Sequence, residues 1–176
     1  MKVCIVGNGP TEVGTGNGGL IDSFDKVYRC NNFVIDGYEK DYGSKTDVWV
    51  NTFARDIKYP KFKKGMEMFC PLPLHEDFFL KRYKGTNIVK YLSYKDTCEF
   101  IDVDVFKKLL NTIPNPSCGM SMIWHLYKKD LLKEKSQIFG FSFFGKGKQH
   151  YFDNGVKTTH NGEKERKLIN EILNGL

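Results

Sequence analysis

The amino-acid sequence predicts an α/β fold, with a Rossmann-like parallel sheet flanked by helices in a single domain over residues 1–176. Short segments rich in β-branched and aromatic residues alternate with helix-like patterns, an arrangement that produces a parallel sheet covered by helices. The first segment, VCIV, is apolar at every position, as expected for a strand buried on both faces. No Pro-rich or Ser-rich stretch divides the chain, and 176 residues suffice for one substantial core.

Six segments are predicted as strands from their β-branched and aromatic residues. They are Val3–Val6, Lys26–Asn31, Asp47–Thr52, Met66–Cys70, Asn87–Leu92 and Gln137–Phe141. Ligands of parallel sheets bind beyond the carboxyl ends of the strands. The glycine-rich segment GNGPTEVGTGNGG, residues 7–19, directly follows the first strand, so it is predicted to lie at that edge.

Three segments are predicted as helices from apolar residues that recur on one face. They are Val103–Asn111, Met120–Leu132 and Lys164–Leu173. Asp102 is placed to cap the first helix, and Asn174 with Gly175 forms a natural stop for the third.

Composition narrows the function classes. The chain has 27 Lys and Arg residues against 21 Asp and Glu residues, a formal net charge of +6 that favours an anionic partner. The positive charges are scattered, so a small anionic molecule is favoured over nucleic acid. The five cysteines lack CxxC spacing, which predicts neither a disulfide framework nor a zinc site. No apolar run approaches the ~18 residues of a membrane span and no signal peptide is visible, so we expect a soluble, untranslocated protein without a transmembrane segment.

The glycine-rich segment has the composition of a phosphate-binding turn. Gly14, Gly16 and Gly19 match GxGxxG, but the dinucleotide fingerprint should begin at the end of the strand, and here GNGP intervenes. Asn8 can both donate and accept hydrogen bonds, and the glycines on either side let a ligand approach the backbone. We therefore favour a bound nucleotide, with a dinucleotide-dependent oxidoreductase as an alternative.

Four further stretches extend this pattern at the start of the chain. They are GTGNG at residues 14–18, Ile21-Asp22-Ser23, Arg29-Cys30-Asn31 and DYGSKT at residues 41–46. With Gly7-Asn8 they resemble the large sialyl motif of the sialyltransferases, glycosyltransferase family 29. The opening GNGP and the stretch RCNNF are also similar to the bacterial sialyltransferases of family 42.

Later stretches follow the order of family 29. NPSCGMSMIWHL at residues 115–126 and IFGF at residues 138–141 resemble the start and end of the small sialyl motif. HYFDN at residues 150–154 is similar to the third motif, and HNGEKE at residues 160–165 has the spacing of the very small motif. Residues 55–110 match no motif, so the acceptor sugar and the linkage stay unassigned, as does the oligomeric state.

The resemblance implies a glycosyltransferase A type of fold and an inverting transfer of sialic acid from CMP-sialic acid to an acceptor sugar hydroxyl. In this interpretation His160 is the general base, since neutral imidazole accepts a proton near neutral pH. Glu165 orients that histidine or the last helix, and His150 and Tyr151 donate hydrogen bonds to the leaving phosphate. His125 matches no motif role and is predicted to be structural.

The nucleotide is expected to bind at two places. The resemblance points to the phosphate and the ribose near the glycine-rich segment and the second strand, and to amides at a helix amino terminus. The residues concerned are Gly7, Asn8, Gly9, Asn31, Ser117, Cys118 and Gly119. Ser117 has an alternative role as no more than a helix cap.

A metal site competes with this interpretation, because Asp102 and Asp104 spell the DxD pattern of many metal-dependent nucleotide-sugar transferases. A monophosphate leaving group carries less charge than a diphosphate, so fixed hydrogen-bond donors suffice. Helix capping by Asp102 and the preference for acids in a first helical turn explain both residues. We therefore expect no metal and no cofactor besides the donor substrate.

Members of family 29 in eukaryotes join the large and small motifs by a disulfide and carry a membrane anchor with a stem. In this chain Cys4 lies one place off the expected position, residues 124–140 contain no cysteine, and no anchor is seen. These departures predict a cytoplasmic enzyme of bacterial or viral origin. Two alternatives besides the oxidoreductase stay open, a transferase that uses a CMP-Kdo-type keto-sugar and a non-catalytic homologue that binds nucleotide or glycan.

Overall fold

The computed structural model describes residues 1–52, 65–74, 96–145, 148–153 and 159–174. Within these ranges all strand pairings are parallel and form one sheet, in the order β5-β4-β3-β2-β1-β6. The strands are β1 (Val3–Val6), β2 (Lys26–Cys30), β3 (Val48–Val50), β4 (Glu67–Cys70), β5 (Glu99–Phe100) and β6 (Ile138–Phe139). The predicted Rossmann-like parallel α/β fold is confirmed.

The strand order places a topological switch point beside β1. From β1 the chain adds β2 to β5 outward on one side, and β6 then pairs on the other side of β1. Ligands of open α/β sheets bind at such a point, outside the carboxyl ends of the strands. The glycine-rich segment leaves β1 at this position, as the sequence predicts.

Five helices accompany the sheet in the described part of the chain. They are α1 (Gly18–Asp22), α2 (Glu39–Tyr42), α3 (Val103–Thr112), α4 (Cys118–Lys128) and α5 (Gly162–Asn174). The Asp102 carboxylate accepts hydrogen bonds from the N–H groups of Asp104 and Val105, so the predicted cap of α3 is confirmed. Helix α4 ends at Lys128 rather than at Leu132, since Asp130 adopts a φ of 57° that a right-handed helix excludes.

The sheet is buried on both faces, and β1 shows this most clearly. Val3 and Ile5 pack in the larger apolar cluster, whereas Cys4 and Val6 pack in a second one. All four side chains are buried, as the period of two in a strand requires. The larger cluster also contains apolar residues of α3, α4 and α5, which holds these helices on the same core.

Four of the predicted strands, β2, β3, β4 and β6, are one to three residues shorter in the structure, and one observed strand was not predicted. Strand β2 ends at Cys30, because Asn31 adopts a φ of 54° and leaves the extended conformation. Strand β5 was not predicted, since Glu99–Phe100 is too short to show a periodic pattern. The predicted strand Asn87–Leu92 lies outside the described residues.

Candidate functional site

The turn at residues 14–16 binds a carboxylate of the protein itself. The N–H groups of Gly14 and Gly16 donate to the two oxygens of Asp41, at 2.7 and 2.9 Å. These hydrogen bonds, Gly14 first, lower the pKa of Asp41 below its ordinary value. The amides that match GxGxxG are therefore committed to Asp41, which argues against a dinucleotide phosphate at this turn.

Two charged residues of the large motif hold the segment DYGSKT. The carboxylate of Asp22 accepts hydrogen bonds from the N–H groups of Ser44 and Lys45, each at 2.9 Å. Burial raises the pKa of Asp22, but the N–H groups of Lys45 and Ser44 outweigh it and leave the pKa lowered. Arg29 is buried and donates to the carbonyl oxygens of Tyr42 and Lys45. Asp22 and Arg29 therefore hold residues 42–45 in place through hydrogen bonds.

Asn8 lies at the carboxyl end of β1 with one side of its amide unsatisfied. Its Nδ2 donates to the carbonyl oxygens of Cys30 and Asn32, at 3.1 and 3.4 Å. The Oδ1 atoms of Asn8 and Asn32 are both buried without a hydrogen-bond partner among the described residues. Buried acceptors without donors are costly, so these atoms suit a ligand that supplies hydroxyl or amino protons.

The backbone of Asn31 is held in place beside Asn8. Its N–H donates to Val50 O at 2.8 Å, and its carbonyl oxygen accepts from Trp49 Nε1 at 2.8 Å. The left-handed φ of Asn31 turns the chain at the end of β2. The structure thus brings the predicted residues Asn8 and Asn31 to neighbouring strand ends.

Glu12 is a buried acid that the sequence interpretation missed. Its Oε1 accepts from the N–H of Gly140 at 3.0 Å, and its Oε2 accepts from Asn17 Nδ2 at 2.9 Å. The carboxylate therefore joins the glycine-rich segment to the end of β6. The residues around Glu12 do not predict this contact, because Gly140 is remote along the chain.

Tyr151 is buried, and its hydroxyl is engaged by backbone. The hydroxyl donates to Val34 O and accepts from Val34 N, while the Tyr151 N–H donates to Asn8 O at 2.9 Å. The ring stacks on Tyr42 with a centroid separation of 3.8 Å. The only proton of the hydroxyl is therefore directed at Val34 rather than at a phosphate.

His150 lies beside Tyr151 with its side chain one-third exposed. Its Nδ1 is 2.8 Å from Asp153 Oδ1, and the side-chain exposure is 33%. An ionised carboxylate only accepts hydrogen bonds, so Nδ1 carries the proton in this pair. Nε2 can then donate to a phosphate when the ring is protonated.

His160 is held in one tautomer by a backbone carbonyl. Its Nδ1 lies 3.0 Å from Asn115 O, and because a carbonyl oxygen only accepts, the proton resides on Nδ1. Nε2 then carries the lone pair, as a general base requires. The imidazole also packs against the ring of Phe144, with 5.7 Å between centroids and an interplanar angle of 30°.

Glu165 grips Ser117 with both carboxylate oxygens. Its Oε1 accepts from the Ser117 N–H at 2.7 Å and its Oε2 from the Ser117 hydroxyl at 2.8 Å. Burial raises the pKa of Glu165, while the Ser117 donors and the nearby His160 oppose that shift. The Ser117 oxygen also accepts from Met120 N at 3.1 Å, so the predicted capping role of Ser117 is confirmed. Its hydroxyl proton points to Glu165, and Glu165 contacts the segment that orients His160.

The amino terminus of α4 meets the end of β1 through one aromatic ring. A Cβ at Gly119 would overlap the ring of Phe141, and a Cβ at Gly7 would lie 3.0 Å from that ring. Glycine is required at position 119 because of this ring, and at position 7 mainly because the carbonyl oxygen of Gly140 would lie 2.5 Å from the added Cβ. Cys118 begins the helix, with its Sγ 3.7 Å from Val50 O.

The predicted site residues fall into two groups that one segment connects. Gly7, Asn8, Gly9, Asn31, His150 and Tyr151 surround the ends of β1 and β2, while Ser117, Cys118, Gly119, His160 and Glu165 surround the starts of α4 and α5. Residues 140–145, here called the connecting segment, contact both groups. Its contacts are those of Gly140 with Gly9 and Glu12, Phe141 with Gly7 and Gly119, Phe143 with Gly162, and Phe144 with His160.

Known proteins share sequence with the first part of the chain. Residues 1–69 match the model described as glycosyltransferase family 29 (sialyltransferase). The human protein alpha-N-acetylgalactosaminide alpha-2,6-sialyltransferase 2 is 38% identical over 60 residues, which are 32% of this chain and 16% of that protein. The chicken alpha-N-acetylgalactosaminide alpha-2,6-sialyltransferase 1 is 49% identical over 49 residues, 28% of this chain and 9% of its own length. These matches thus cover less than a fifth of each relative.

A solved structure shares the fold over nearly the whole chain. It is a mammalian sialyltransferase in complex with Gal-beta-1-3GalNAc-ortho-nitrophenol, with a TM-score of 0.67 and 19% sequence identity. The superposition covers 98% of this chain and 66% of that one. At this identity the likeness establishes the fold, and it extends beyond the residues that match in sequence.

The predicted localisation is wrong. The curated relatives come from human, mouse, chicken and rat, not from bacteria or viruses. The prediction relied on cysteine positions and on a missing anchor, and neither feature reports the source of a sequence. Among the described residues, no helix has the length and apolarity needed to cross a membrane.

The motif order, the family match and the fold agree with one another. The amino-terminal match contains the predicted large sialyl motif, and the shared fold includes the elements that carry the later motifs. The predicted resemblance is confirmed: residues 1–69 match the glycosyltransferase family 29 (sialyltransferase) model, and the chain shares its fold with a mammalian sialyltransferase.

Proposed function

We propose that the chain transfers sialic acid from CMP-sialic acid to an acceptor sugar hydroxyl, with inversion, without a metal and with His160 as the general base. The observation that carries the proposal is the hydrogen bond between His160 Nδ1 and Asn115 O. It leaves Nε2 as the basic nitrogen without any need for a carboxylate partner.

The nucleotide is assigned to the ends of β1 and β2. Asn8 Oδ1 and Asn32 Oδ1 are buried acceptors that lack donors in the described part of the chain. A ribose or a cytosine provides hydroxyl and amino protons for such acceptors. The Tyr151 N–H donates to the carbonyl oxygen of Asn8. Tyr151 therefore supports this site through its backbone rather than through its hydroxyl.

The reaction balances with one proton transfer, from the acceptor hydroxyl to His160. The acceptor oxygen forms a bond to the anomeric carbon as the bond from that carbon to the phosphate oxygen breaks, and the electron pair leaves with cytidine monophosphate. His160 Nε2 takes the acceptor proton. Protonated His150 donates a hydrogen bond from Nε2 to the departing phosphate while Asp153 holds Nδ1.

The proposal of metal independence is supported by the leaving group and by the capping role of Asp102. A monophosphate develops less charge than a diphosphate when it departs, so the imidazolium of His150 is an adequate partner. One oxygen of Asp102 is already used in capping α3. In the DxD alternative, the same carboxylate would have to cap α3 through Oδ1 and bind the metal through Oδ2.

The test is hydrolysis and transfer with CMP-sialic acid, followed by mass detection of cytidine monophosphate and of the sialylated product. Gal-beta-1-3GalNAc-ortho-nitrophenol, which the solved structure contains, is the first acceptor to try. We expect product in excess chelator, with the inverted anomer seen by NMR. A CMP-Kdo donor run in parallel tests the keto-sugar alternative.

A non-catalytic homologue is the second candidate, because the hydroxyls of Ser117 and Tyr151 are both committed to the protein. Binding of cytidine monophosphate without release from the donor, under conditions where a known sialyltransferase turns over, would favour that candidate. Product that appears only with added manganese or magnesium would instead favour the DxD site.

A further inference from the structure

We propose that Phe144 is a positioning residue for His160. Its ring and the Asn115 carbonyl together hold the imidazole in the Nδ1–H tautomer and in one orientation. The inference rests on the proposed role of His160 as the base. It extends the site to the connecting segment. The predicted small motif ends at Phe141, so no motif covers residues 142–145 of that segment.

Among the described residues, the Asn115 carbonyl and the Phe144 ring contact the imidazole from different directions. The Asn115 carbonyl binds the ring edge at Nδ1 over 3.0 Å. The Phe144 ring packs beside the imidazole in a tilted arrangement, with 5.7 Å between centroids and 30° between planes. The hydrogen bond alone permits rotation about its own axis, and the aromatic contact restricts that rotation.

The backbone under Phe144 has a conformation that L-residues rarely adopt. Phe143 and Phe144 have φ values of 53° and 55°, both in the left-handed region. For consecutive bulky residues this conformation is disfavoured, and it persists only where the surroundings impose it. The pair brings the Phe144 ring to the first residues of α5.

Gly162 supplies the matching surface on α5. A Cβ at Gly162 would overlap the carbonyl oxygen of Phe143, so glycine is needed for the connecting segment to lie against the start of this helix. One residue, Asn161, separates His160 from Gly162. The same close approach therefore sets the separation between Phe144 and the imidazole.

The connecting segment is also anchored at the nucleotide side. The Gly140 N–H donates to Glu12, and the Phe141 ring lies between Gly7 and Gly119. These contacts fix the segment before it reaches Phe144. The connecting segment thereby fixes the position of the proposed base relative to the strand ends that are proposed to hold the nucleotide.

Three variants test the proposal. Phe144→Leu keeps an apolar side chain but loses the aromatic ring, and Phe144→Tyr keeps the ring. The control, Phe24→Leu, removes a half-buried ring that packs on Phe139. Each is assayed for kcat and for the KM of donor and acceptor. Proton–nitrogen correlation spectra of the His160 imidazole report its tautomer in the protein without substrate.

We expect Phe144→Leu to lower kcat by about 10- to 100-fold with the donor KM little changed, since a displaced base slows chemistry and not nucleotide binding. Its His160 signals should shift from the Nδ1–H tautomer toward a mixture. Phe144→Tyr should recover both properties, and Phe24→Leu should keep them.

Wild-type kcat and tautomer in a folded Phe144→Leu would overturn the proposal. If Phe144→Leu does not fold, Phe144→Met replaces it and the same two outcomes decide. If the wild type shows no transfer, the proposed function fails, while the tautomer spectra still decide whether Phe144 positions His160.

Discussion

The carboxylate of Glu165 binds both the N–H and the hydroxyl of Ser117, at 2.7 and 2.8 Å. This contact joins the first turn of α5 to the amino terminus of α4. Two residues before Ser117, the carbonyl of Asn115 binds His160. The His-x4-Glu spacing thus lets the start of α5, together with His160 just before it, hold residues 115–117 at two points.

Glu165→Gln should therefore destabilise the fold and slow the reaction. The Gln amide directs a donor at a donor of Ser117, leaving a buried group unsatisfied at a cost of about 1–3 kcal/mol. For a chain of this size that lowers the melting temperature by a few degrees. Thermal unfolding measures it, with exposed Glu163→Gln on the same helix as the control. Equal melting temperatures for the two variants would contradict a structural role for the carboxylate.

His160→Ala should affect turnover alone, whereas His150→Ala should affect both turnover and nucleotide affinity. Loss of the base should lower turnover by about 10²- to 10⁴-fold and leave the affinity for cytidine monophosphate nearly unchanged. Loss of the phosphate donor should weaken cytidine monophosphate binding as well as turnover. Calorimetric titration and initial rates with a true acceptor measure both quantities. Wild-type turnover in His160→Ala would remove this histidine from the mechanism.

Cytidine monophosphate should stabilise the protein through Asn8. A ligand at 100 times its dissociation constant contributes about 2.7 kcal/mol, a melting shift of roughly 5 to 11 °C at this chain length. Asn8→Ala should abolish most of the shift, whereas Asn111→Ala, on the exposed surface of α3, should retain it. Adenine dinucleotides are the comparison ligands. A larger melting shift with them than with cytidine monophosphate would favour the oxidoreductase alternative.

Asp41→Ala should release the glycine turn without affecting nucleotide binding. The Asp41 carboxylate occupies the N–H groups of Gly14 and Gly16, so these amides should exchange with solvent much faster in the variant. Hydrogen exchange followed by NMR measures this, with exposed Asp36→Ala as the control. Loss of cytidine monophosphate binding in Asp41→Ala alone would show that the turn contributes to the nucleotide site.

Stability should fall with acid through His125. Burial, with a smaller contribution from Lys129, lowers the pKa of this residue from 6.5 to about 4. Between these values the unfolded chain binds a proton that the folded chain does not, so the free energy of unfolding decreases as the pH falls from 6.5 to about 4. The loss is on the order of 3 kcal/mol.

Urea unfolding across this pH range measures the effect, with His125→Leu and His150→Gln as variants. His125 packs on Phe69 with its Nδ1 buried and unbonded among the described residues, so leucine suits the site. Only His125→Leu should flatten the pH dependence. An unchanged slope in that variant would assign the effect to other groups.

Some features follow from local chemistry and were predictable. The uninterrupted apolar segment Val3–Val6 specifies a strand buried on both faces, and Asp102 caps α3 through amides that lie two and three residues ahead. The motif spacing showed the resemblance to family 29. It also placed Glu165 in the first turn of a helix, because residue order along one helix is a local property.

Other features depend on contacts between distant parts of the chain. Whether the amides of Gly14 and Gly16 hold a phosphate or a carboxylate depended on where Asp41 came to lie, and the Tyr151 hydroxyl was taken by Val34, 117 residues away in sequence. A hydrogen-bonding group has the same capacity in any sequence context, and only the fold decides which partner comes within reach. The sequence by itself therefore determined the fold class, the family resemblance and the candidate residues. The tertiary structure decided that the hydroxyls of Ser117 and Tyr151 bind other parts of the protein and that the His160 ring packs beside Phe144.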